Sequence, residues 1–406
     1  MIGDASFTMK RQSNYLEVTH KQFLQWSAMK KTSTLFQLRP CRGAHLLVLL
    51  VFLFTLAPAQ EQEQEQEQLQ TPIDTPPTAH PFQWNTWKKT SWNPSYFSVL
   101  PGSKQGVTFW FGARINRHGL NAVIRLPGPD LGQLQRQPPA FTADIIQAYD
   151  RIDEGTPIIS RVTAHQLSHG NIVIVSGIGP TYTGGGSELY PALFLSDASG
   201  KNWQHLGTLN GEPQTWLDQR RRSKKLIRCE GGGLIELPSG KLRLYLQGFG
   251  VRLALAEADS LHGPWAFHRD SNGEIVDILA GLPGGWLFPA VMTCRIPHKS
   301  RTKTTQTTTA ELGYFITGAN TWPPTQLDAA YSINGIDFQG FDQPLLLPSD
   351  IHPKATSMKA LRGLFKPEEN TFEAMANIWD PQQRAYVCYH SSSPFNPTWF
   401  GRLQNK

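Results

Sequence analysis

The chain has 406 residues, 39% of them apolar, enough to bury a full core as one large domain or two ordinary ones. Its net charge is +6, and from residue 79 onward 31 Lys and Arg face 25 Asp and Glu, too mild an excess for a dedicated nucleic-acid binder. Thirty-five glycines and thirty prolines, with no sustained helical period, point away from helical bundles and towards a β structure rich in turns. The first element in chain order is an export signal. Leu46 to Leu56 is apolar apart from Thr55, Arg39 and Arg42 precede it, and Ala57-Pro58-Ala59 follows. A basic flank, a short apolar run and a small-residue site read as a secretory signal peptide within residues 1–59, so the protein is expected to be secreted. The apolar run falls short of the ~20 residues of a membrane span. An uncleaved type II signal anchor is the alternative, and only then is a membrane a partner. Residues 60–81 begin QEQEQEQEQ and continue through several prolines, a polar linker that cannot build a core.

The folded domain is expected over residues 82–406. A strand, a Gly-bearing turn, two further strands and a Gly-x-x-aromatic turn into a fourth recur about every 45–70 residues, the signature of propeller blades. The units open on YFSVLPGSKQGVTFWFGAR, IISRVTAHQLSHGNIVIVSG, GGGLIELPSGKLRLYLQGFG, LFPAVMTCRIP and TFEAMANIWDPQQRAYVCYHSS. The expected fold is therefore all-β, a five-bladed β-propeller of four-stranded antiparallel blades. Two third-to-fourth hairpins, Ser196 to Trp203 and Ser332 to Phe338, share one logic: a polar side chain caps the turn, glycine takes positive φ, and an aromatic returns to the core. Both are similar to degenerate sialidase Asp boxes, which are structural. Cys229, Cys294 and Cys388 follow the leader; one disulfide and one buried thiol would suit an exported chain. No C-x-x-C pair or His-rich cluster suggests zinc. The basic run Arg220, Arg221, Arg222, Lys224 and Lys225 reads as a solvated loop.

In a propeller the first strand of each blade lines the axis, and its beginning faces the substrate mouth. Aligning the blades on their first hairpin turns places Asn93, Arg161, Glu230 and Glu373 in one axial layer, with Phe288 or Pro289 from blade four. Glu230 precedes three glycines that would let a ligand approach the backbone closely. A glycosidase needs a carboxylic acid to protonate the leaving oxygen and a second carboxylate opposite it, which makes Glu230 and Glu373 the candidate pair.

Three segments carry a family resemblance. Cys229-Glu230-Gly231-Gly232 resembles the segment holding the general acid in five-bladed propeller glycosidases of the arabinanase, β-xylosidase and invertase type. Ala256 to Trp265, with its Gly263-Pro264-Trp265 ending, is similar to that family's structural blade hairpin. Trp92-Asn93-Pro94-Ser95 sits where the family has its catalytic base or nucleophile. The resemblance implies an exported glycoside hydrolase-like protein acting on an oligosaccharide or polysaccharide. Asn93 departs from the pattern, because an amide neither takes up a proton at neutral pH nor forms a glycosyl ester. Glu373, Asp144 or Asp153 could serve instead, or the site binds sugar without cleaving it, as a lectin-like propeller or an interaction scaffold would. Trp92, Trp286 and Trp322 are candidates for stacking on sugar rings, and His165, Arg252 and Asp328 for polar recognition. No cofactor is expected, with axial calcium or sodium left open.

Overall fold

The computed structural model describes residues 80–94, 96–102, 106–113, 122–146, 158–179, 190–209, 226–249, 252–296, 311–321 and 323–401. The chain divides into two compact units, Met1–Thr75 and Pro76–Lys406, and all described residues lie in the second. The expected signal segment, nearly all of the linker and the basic run at 220–225 lie outside the described residues.

The strands form antiparallel meanders of four. Strand β1 (Lys88–Lys89) comes first in the chain but joins the last meander. Blade one is β2 (Phe97–Pro101), β3 (Val107–Ala113), β4 (Ala122–Gly128) and β5 (Pro139–Thr142). Blade two is β6 (Ile158–Gln166), β7 (Ile172–Gly179), β8 (Tyr190–Ser196) and β9 (Trp203–Thr208). Blade three is β10 (Leu226–Glu236), β11 (Leu242–Phe249), β12 (Ala254–Ala258) and β13 (Ala266–Phe267). Blade four is β14 (Leu287–Ile296), β15 (Glu311–Ala319), β16 (Leu327–Ser332) and β17 (Gln339–Gly340). Blade five is β18 (Met358–Lys366), β19 (Thr371–Asp380) and β20 (Ala385–Pro394), with β1 as its outer strand. The first strands close a ring: β2 lies beside β6 and β18, β10 beside β6 and β14, and β14 beside β18.

Five apolar clusters fill the five interfaces of that ring. Trp110, Phe141, Ile174 and Phe194 pack blade one on blade two. Leu244, Leu246, Val175 and Trp265 pack two on three, and Tyr245, Ile235, Tyr314 and Ile316 pack three on four. Phe315, Met358 and Phe372 join four to five; Phe109, Leu131 and Met375 join five to one. The alternation of β11 explains how one strand serves two interfaces, since Leu242, Leu244 and Leu246 point towards blade two while Tyr245 points towards blade four. Both faces are apolar, as a strand between two neighbours requires.

Blade five is built from both ends of the domain. Lys88 and Lys89 pair with His390 and Tyr389, and the Asn85 and Thr90 amides donate to the Ser392 and Cys388 carbonyls at 2.8 and 2.9 Å. Phe82 is buried against Trp84, Phe315, Phe372 and Phe395. This clasp ties the start of the domain to the outer edge of its last meander.

The hairpins behave as their residues require. In the Ser196 to Trp203 turn, Asp197 accepts from the Ser199 amide and hydroxyl and from the Asn202 side chain. Gly200 takes φ 68°, and the Trp203 indole donates to the Gly200 carbonyl at 3.0 Å. Those side-chain bonds from Ser199 and Asn202 hold the Asp197 carboxyl at about 2. In the second such turn Asn334 accepts from the Ile336 and Asp337 amides, both at 2.9 Å.

Two expectations are corrected. The segment from Thr371 to Ser392 is not the first hairpin of blade five but its second and third strands; the first strand is Met358–Lys366. The expected disulfide involves neither Cys294 nor Cys388, which are free buried thiols on blades four and five. Burial pushes both up to about 12, leaving them inert packing groups. Two four-residue helices, α1 (Pro348–Ile351) and α2 (Thr398–Gly401), and a 3₁₀ turn at Ala143–Ile145 complete the described elements, and no described helix is long and apolar enough to cross a membrane.

Candidate functional site

The five inner strands begin at one end of the axis and turn at the other. At the beginning, four of them lose register. The break falls between Ser160 and Thr163 in β6 and between Ile227 and Gly232 in β10. It falls between Leu287 and Ala290 in β14 and between Met358 and Ala360 in β18. An irregularity of this kind leaves residues out of the ladder and re-aims their side chains. The residues within the breaks include Arg161, Glu230, Phe288 and Lys359, and in blade one Tyr96 immediately precedes β2. These five positions, one per blade, form a layer at the start of the inner strands, the end expected to face substrate and here called the mouth.

The backbone at the mouth is strained. Arg161, Trp286 and Phe288 take φ values of 62°, 51° and 54°, in the left-handed region that L residues avoid. Such conformations cost about 1–3 kcal/mol each and gather at binding and catalytic sites.

The described mouth side chains form an aromatic and cationic cluster. The Arg161 guanidinium lies 3.9 Å from the Tyr96 ring centroid, and Arg161 is only 7% exposed. Tyr96 meets Phe288 edge to face at 5.8 Å. The Lys359 ammonium stands 5.5, 5.4 and 4.9 Å from the rings of Tyr96, Phe288 and Tyr386. One turn of the pleat deeper, Arg362 reaches the Gly232 and Pro289 carbonyls, both at 3.4 Å.

Beyond Arg362 the axis continues as a cavity of about 1120 Å³, lined by residues of all five inner strands and reaching their hairpin ends. His165 lies there, its imidazole lowered to about 4 by burial, with the charge of Glu236 only partly opposing this. Glu236 ties blade three to blade two by accepting from the Ser168 amide at 2.5 Å and its hydroxyl at 3.0 Å. No group of three His, Cys, Asp or Glu side chains suited to a metal ion occurs among the described residues.

Of the candidate residues, Arg161 and the backbone position of Glu230 lie in the mouth layer. Glu373 does not. It lies on β19, one strand out from the axis, paired with Leu364 and Ser392. Its carboxylate accepts from Lys366 Nζ at 2.6 Å and from the Leu131 amide at 2.6 Å, tying blade five to blade one. The expected axial position is thus corrected, because the alignment took the Asp380-Pro381-Gln382 turn for the first hairpin. That hairpin turns instead at Pro367 to Asn370, which puts Lys359 in the layer.

Asn93 is exposed, and its Oδ1 accepts from the Cys388 amide at 3.3 Å, so it braces blade five; Tyr96 holds the blade-one place. Trp92 packs near Phe111 at 6.2 Å. Trp286 is a core residue, 2% exposed, whose indole donates to the Pro283 carbonyl at 2.6 Å. Arg252 pairs with Asp277 at 3.0 Å and holds the Leu279, Leu282 and Gly284 carbonyls, locking the loop before Trp286. Asp328 is half-buried at the mouth-side end of β16; burial raises its carboxyl, against a 2.7 Å bond from Gln326. Asp144 lies in the 3₁₀ turn Ala143–Ile145, accepting from Thr142 at 2.8 Å. Trp322 and Asp153 lie outside the described residues.

The glycines after Glu230 were expected to admit a ligand. At Gly232 the reason is different: φ is 112°, and a Cβ there would stand 1.9 Å from the Tyr245 carbonyl oxygen. A Cβ on Gly233 would meet Val291 of blade four at 3.4 Å. The neighbouring backbone and blade, not a ligand, fill these spaces.

No family model matches the chain, and no curated protein matches it in sequence. Solved structures do. The exo-β-1,3-galactanase 1,3Gal43A of Clostridium thermocellum superposes with a TM-score of 0.50 at 12% identity, over 77% of this chain and 62% of that one. The Bacillus subtilis arabinanase Arb43A gives 0.48 at 8% identity, covering 76% and 97% of the two chains. An exo-1,5-α-L-arabinanase from a bovine ruminal metagenomic library gives 0.47 at 9%, covering 76% and 94%. The chain thus has the fold of the five-bladed propeller glycosidases. It spans 62% of the length of the galactanase.

Proposed function

We propose that this is an exported, carbohydrate-active propeller that takes an oligosaccharide or polysaccharide at the axial mouth, as a glycoside hydrolase with Glu230 as general acid. The observation that carries the reading is the layer of register breaks at the start of the inner strands. A propeller gains nothing in stability from strained, re-aimed residues there, and Glu230 falls within the break of β10. The neighbours' substrates support a saccharide ligand; one relative was solved with β-1,3-galactotriose. In this role the Glu230 carboxyl gives its proton to the glycosidic oxygen as the bond from that oxygen to the anomeric carbon breaks; water supplies the new hydroxyl on the anomeric carbon, and the proton it sheds restores the carboxyl. The apolar leader supports export.

One observation favours a second reading, saccharide binding without cleavage. Among the described residues, no other carboxylate lies on the mouth end of an inner strand, since Glu373 is tied to Lys366 and Asn93 is an amide. Hydrolysis assays over a glycan panel with wild type and Glu230→Gln decide between them. The enzyme reading expects turnover that drops by at least about 100-fold in Glu230→Gln. Equal turnover excludes Glu230 as the acid, and retained binding without turnover in wild type selects the second reading.

A further inference from the structure

We propose that the outer rim of blades four and five carries a second saccharide site, a cleft around Trp84 and Trp87 that holds a neutral sugar chain apart from the mouth. The inference rests on the saccharide reading of the mouth and adds a second place where such a chain is held. The cleft has a volume of about 700 Å³ and lies between the segment leading into β1 and the segment from Gln343 into α1. That size is typical of a small-ligand pocket, ~300–1,000 Å³. None of the residues lining it belongs to the mouth layer or to the axial cavity. Its wall is aromatic. The Trp84 and Trp87 rings stand 5.4 Å apart at 42°, and Phe82 stacks on Trp84 at 5.3 Å and 9°, which fixes that ring in place. Both indoles pack on the core between blades four and five, yet both are only half-buried. Leu347, on the facing segment, is 40% exposed.

The polar groups around these rings are under-used. The Trp84 indole N–H is buried and has no hydrogen-bond partner among the described residues. A buried donor left in that state costs about 1–3 kcal/mol. Gln343 is exposed and engages no other described residue. Asn85 donates through its amide nitrogen to Ser392 Oγ at 2.9 Å, which leaves its amide oxygen to accept. Asp350 uses one carboxylate oxygen on the Leu347 amide at 2.7 Å and keeps the other. Core packing accounts for Phe82 and the covered part of Trp84. It does not account for an unpaired indole N–H and a partnerless amide beside one cavity. Sugar hydroxyls both donate and accept, so a single chain can meet the indole, the amides and the carboxylate together. Its apolar ring face suits a flat indole, whose body is apolar and whose tip is polar. Charge decides the class of sugar. Burial keeps the His80 imidazole below its ordinary value and therefore neutral, so Asp350 carries the only formal charge among the lining residues. That charge is negative and repels an acidic sugar, which leaves a neutral chain as the occupant.

The full chain is titrated calorimetrically with soluble galactan, arabinan and xylan, and with polygalacturonate as the acidic counterpart. At least one neutral polymer is expected to bind, and polygalacturonate to bind more weakly. Trp87→Ala is expected to weaken the neutral polymer about tenfold. Gln343→Ala, a change at an exposed side chain without a partner, is expected to weaken it several-fold. Thermal melting reports whether each variant keeps its fold; if Trp87→Ala melts early, Gln343→Ala alone decides. Unchanged affinity in the folded rim variants overturns the inference and leaves the mouth reading standing. Absence of binding by wild type overturns the inference too, and if no polymer is turned over either, the mouth reading falls with it. Binding that depends on the rim residues without any turnover upholds the inference and counts against the hydrolase alone. Polygalacturonate bound as tightly as the neutral polymers, with the same losses in the variants, overturns the neutral class.

Discussion

The two ends of the same five strands follow different rules. At the hairpin end the ladders run without a break, from Gln166↔Ile172, Glu236↔Leu242 and Ile296↔Glu311 to Lys366↔Thr371. Side chains there alternate between adjacent interfaces, and even the carboxylates are structural: Glu236 caps Ser168, and Glu373 binds Lys366. At the mouth end the ladders break, three residues take left-handed φ, and cations and aromatics gather where packing alone would place apolar residues. The scaffold is regular at the hairpin end and irregular where the inner strands begin. The difference teaches that a residue's role in a propeller depends on its level along the strand and on which strand of the blade carries it.

The sharpest way to break this comparison is Glu373. If it belongs to the rigid frame, Glu373→Ala leaves Lys366 only the exposed Glu369 at 3.6 Å and takes the acceptor from the Leu131 amide, and costs about 3 kcal/mol in denaturant unfolding. A loss of turnover with unchanged unfolding would instead make it a reacting group and return it to the axis. Two glycines of blade three come next. Gly232, at the mouth end of β10, has φ 112° and the Tyr245 carbonyl in its way. Gly232→Ala is expected to cost about 3 kcal/mol. Gly240, in the turn at the hairpin end, has φ 84° and nothing within 4 Å, so Gly240→Ala is expected to cost about 1 kcal/mol. Equal losses would show that crowding at the mouth is not what singles out Gly232.

The cavity between the two ends gives a third measurement. His165 is lowered to about 4 from the ordinary 6.5 by burial, so the fold holds it neutral. The unfolded chain takes up that proton below about pH 6.5, and the folded chain only near 4. The fold therefore loses stability as pH falls through this window, by up to about 3 kcal/mol. Chemical denaturation at pH 7 and pH 4 is expected to show that loss in wild type and a correspondingly smaller one in His165→Phe. An identical drop in both would mean that His165 is solvated.

Much of the fold was legible because its signals are local. The alternation of Lys241 to Leu246, the Asp197 and Asn334 turns and the Gly263-Pro264-Trp265 hairpin each announce an element through its own few residues. The place of Arg161 followed from counting back nine residues from Gly170, and that of Glu230 from counting back ten from Gly240. Blade five was misread because two candidate turns, Pro367 to Asn370 and Asp380 to Gln382, lie in one apolar stretch. Nothing local says which of three consecutive strands lies innermost. The error displaced Lys359 and promoted Glu373. Asn93 was drawn to the axis by its Pro-Ser neighbours, while its amide in fact serves Cys388, 295 residues away.

By itself, the sequence determined the all-β class, the repeat and the turn chemistry, because each depends on residues adjacent in the chain. Only the tertiary structure decided how the ring closes, which strand of each blade faces the axis and where the ladders break. Those depend on which blades meet: Lys88 and Lys89 joining β20, Glu373 reaching Leu131, and Arg161, Phe288 and Lys359 gathering around Tyr96 from blades far apart in the chain.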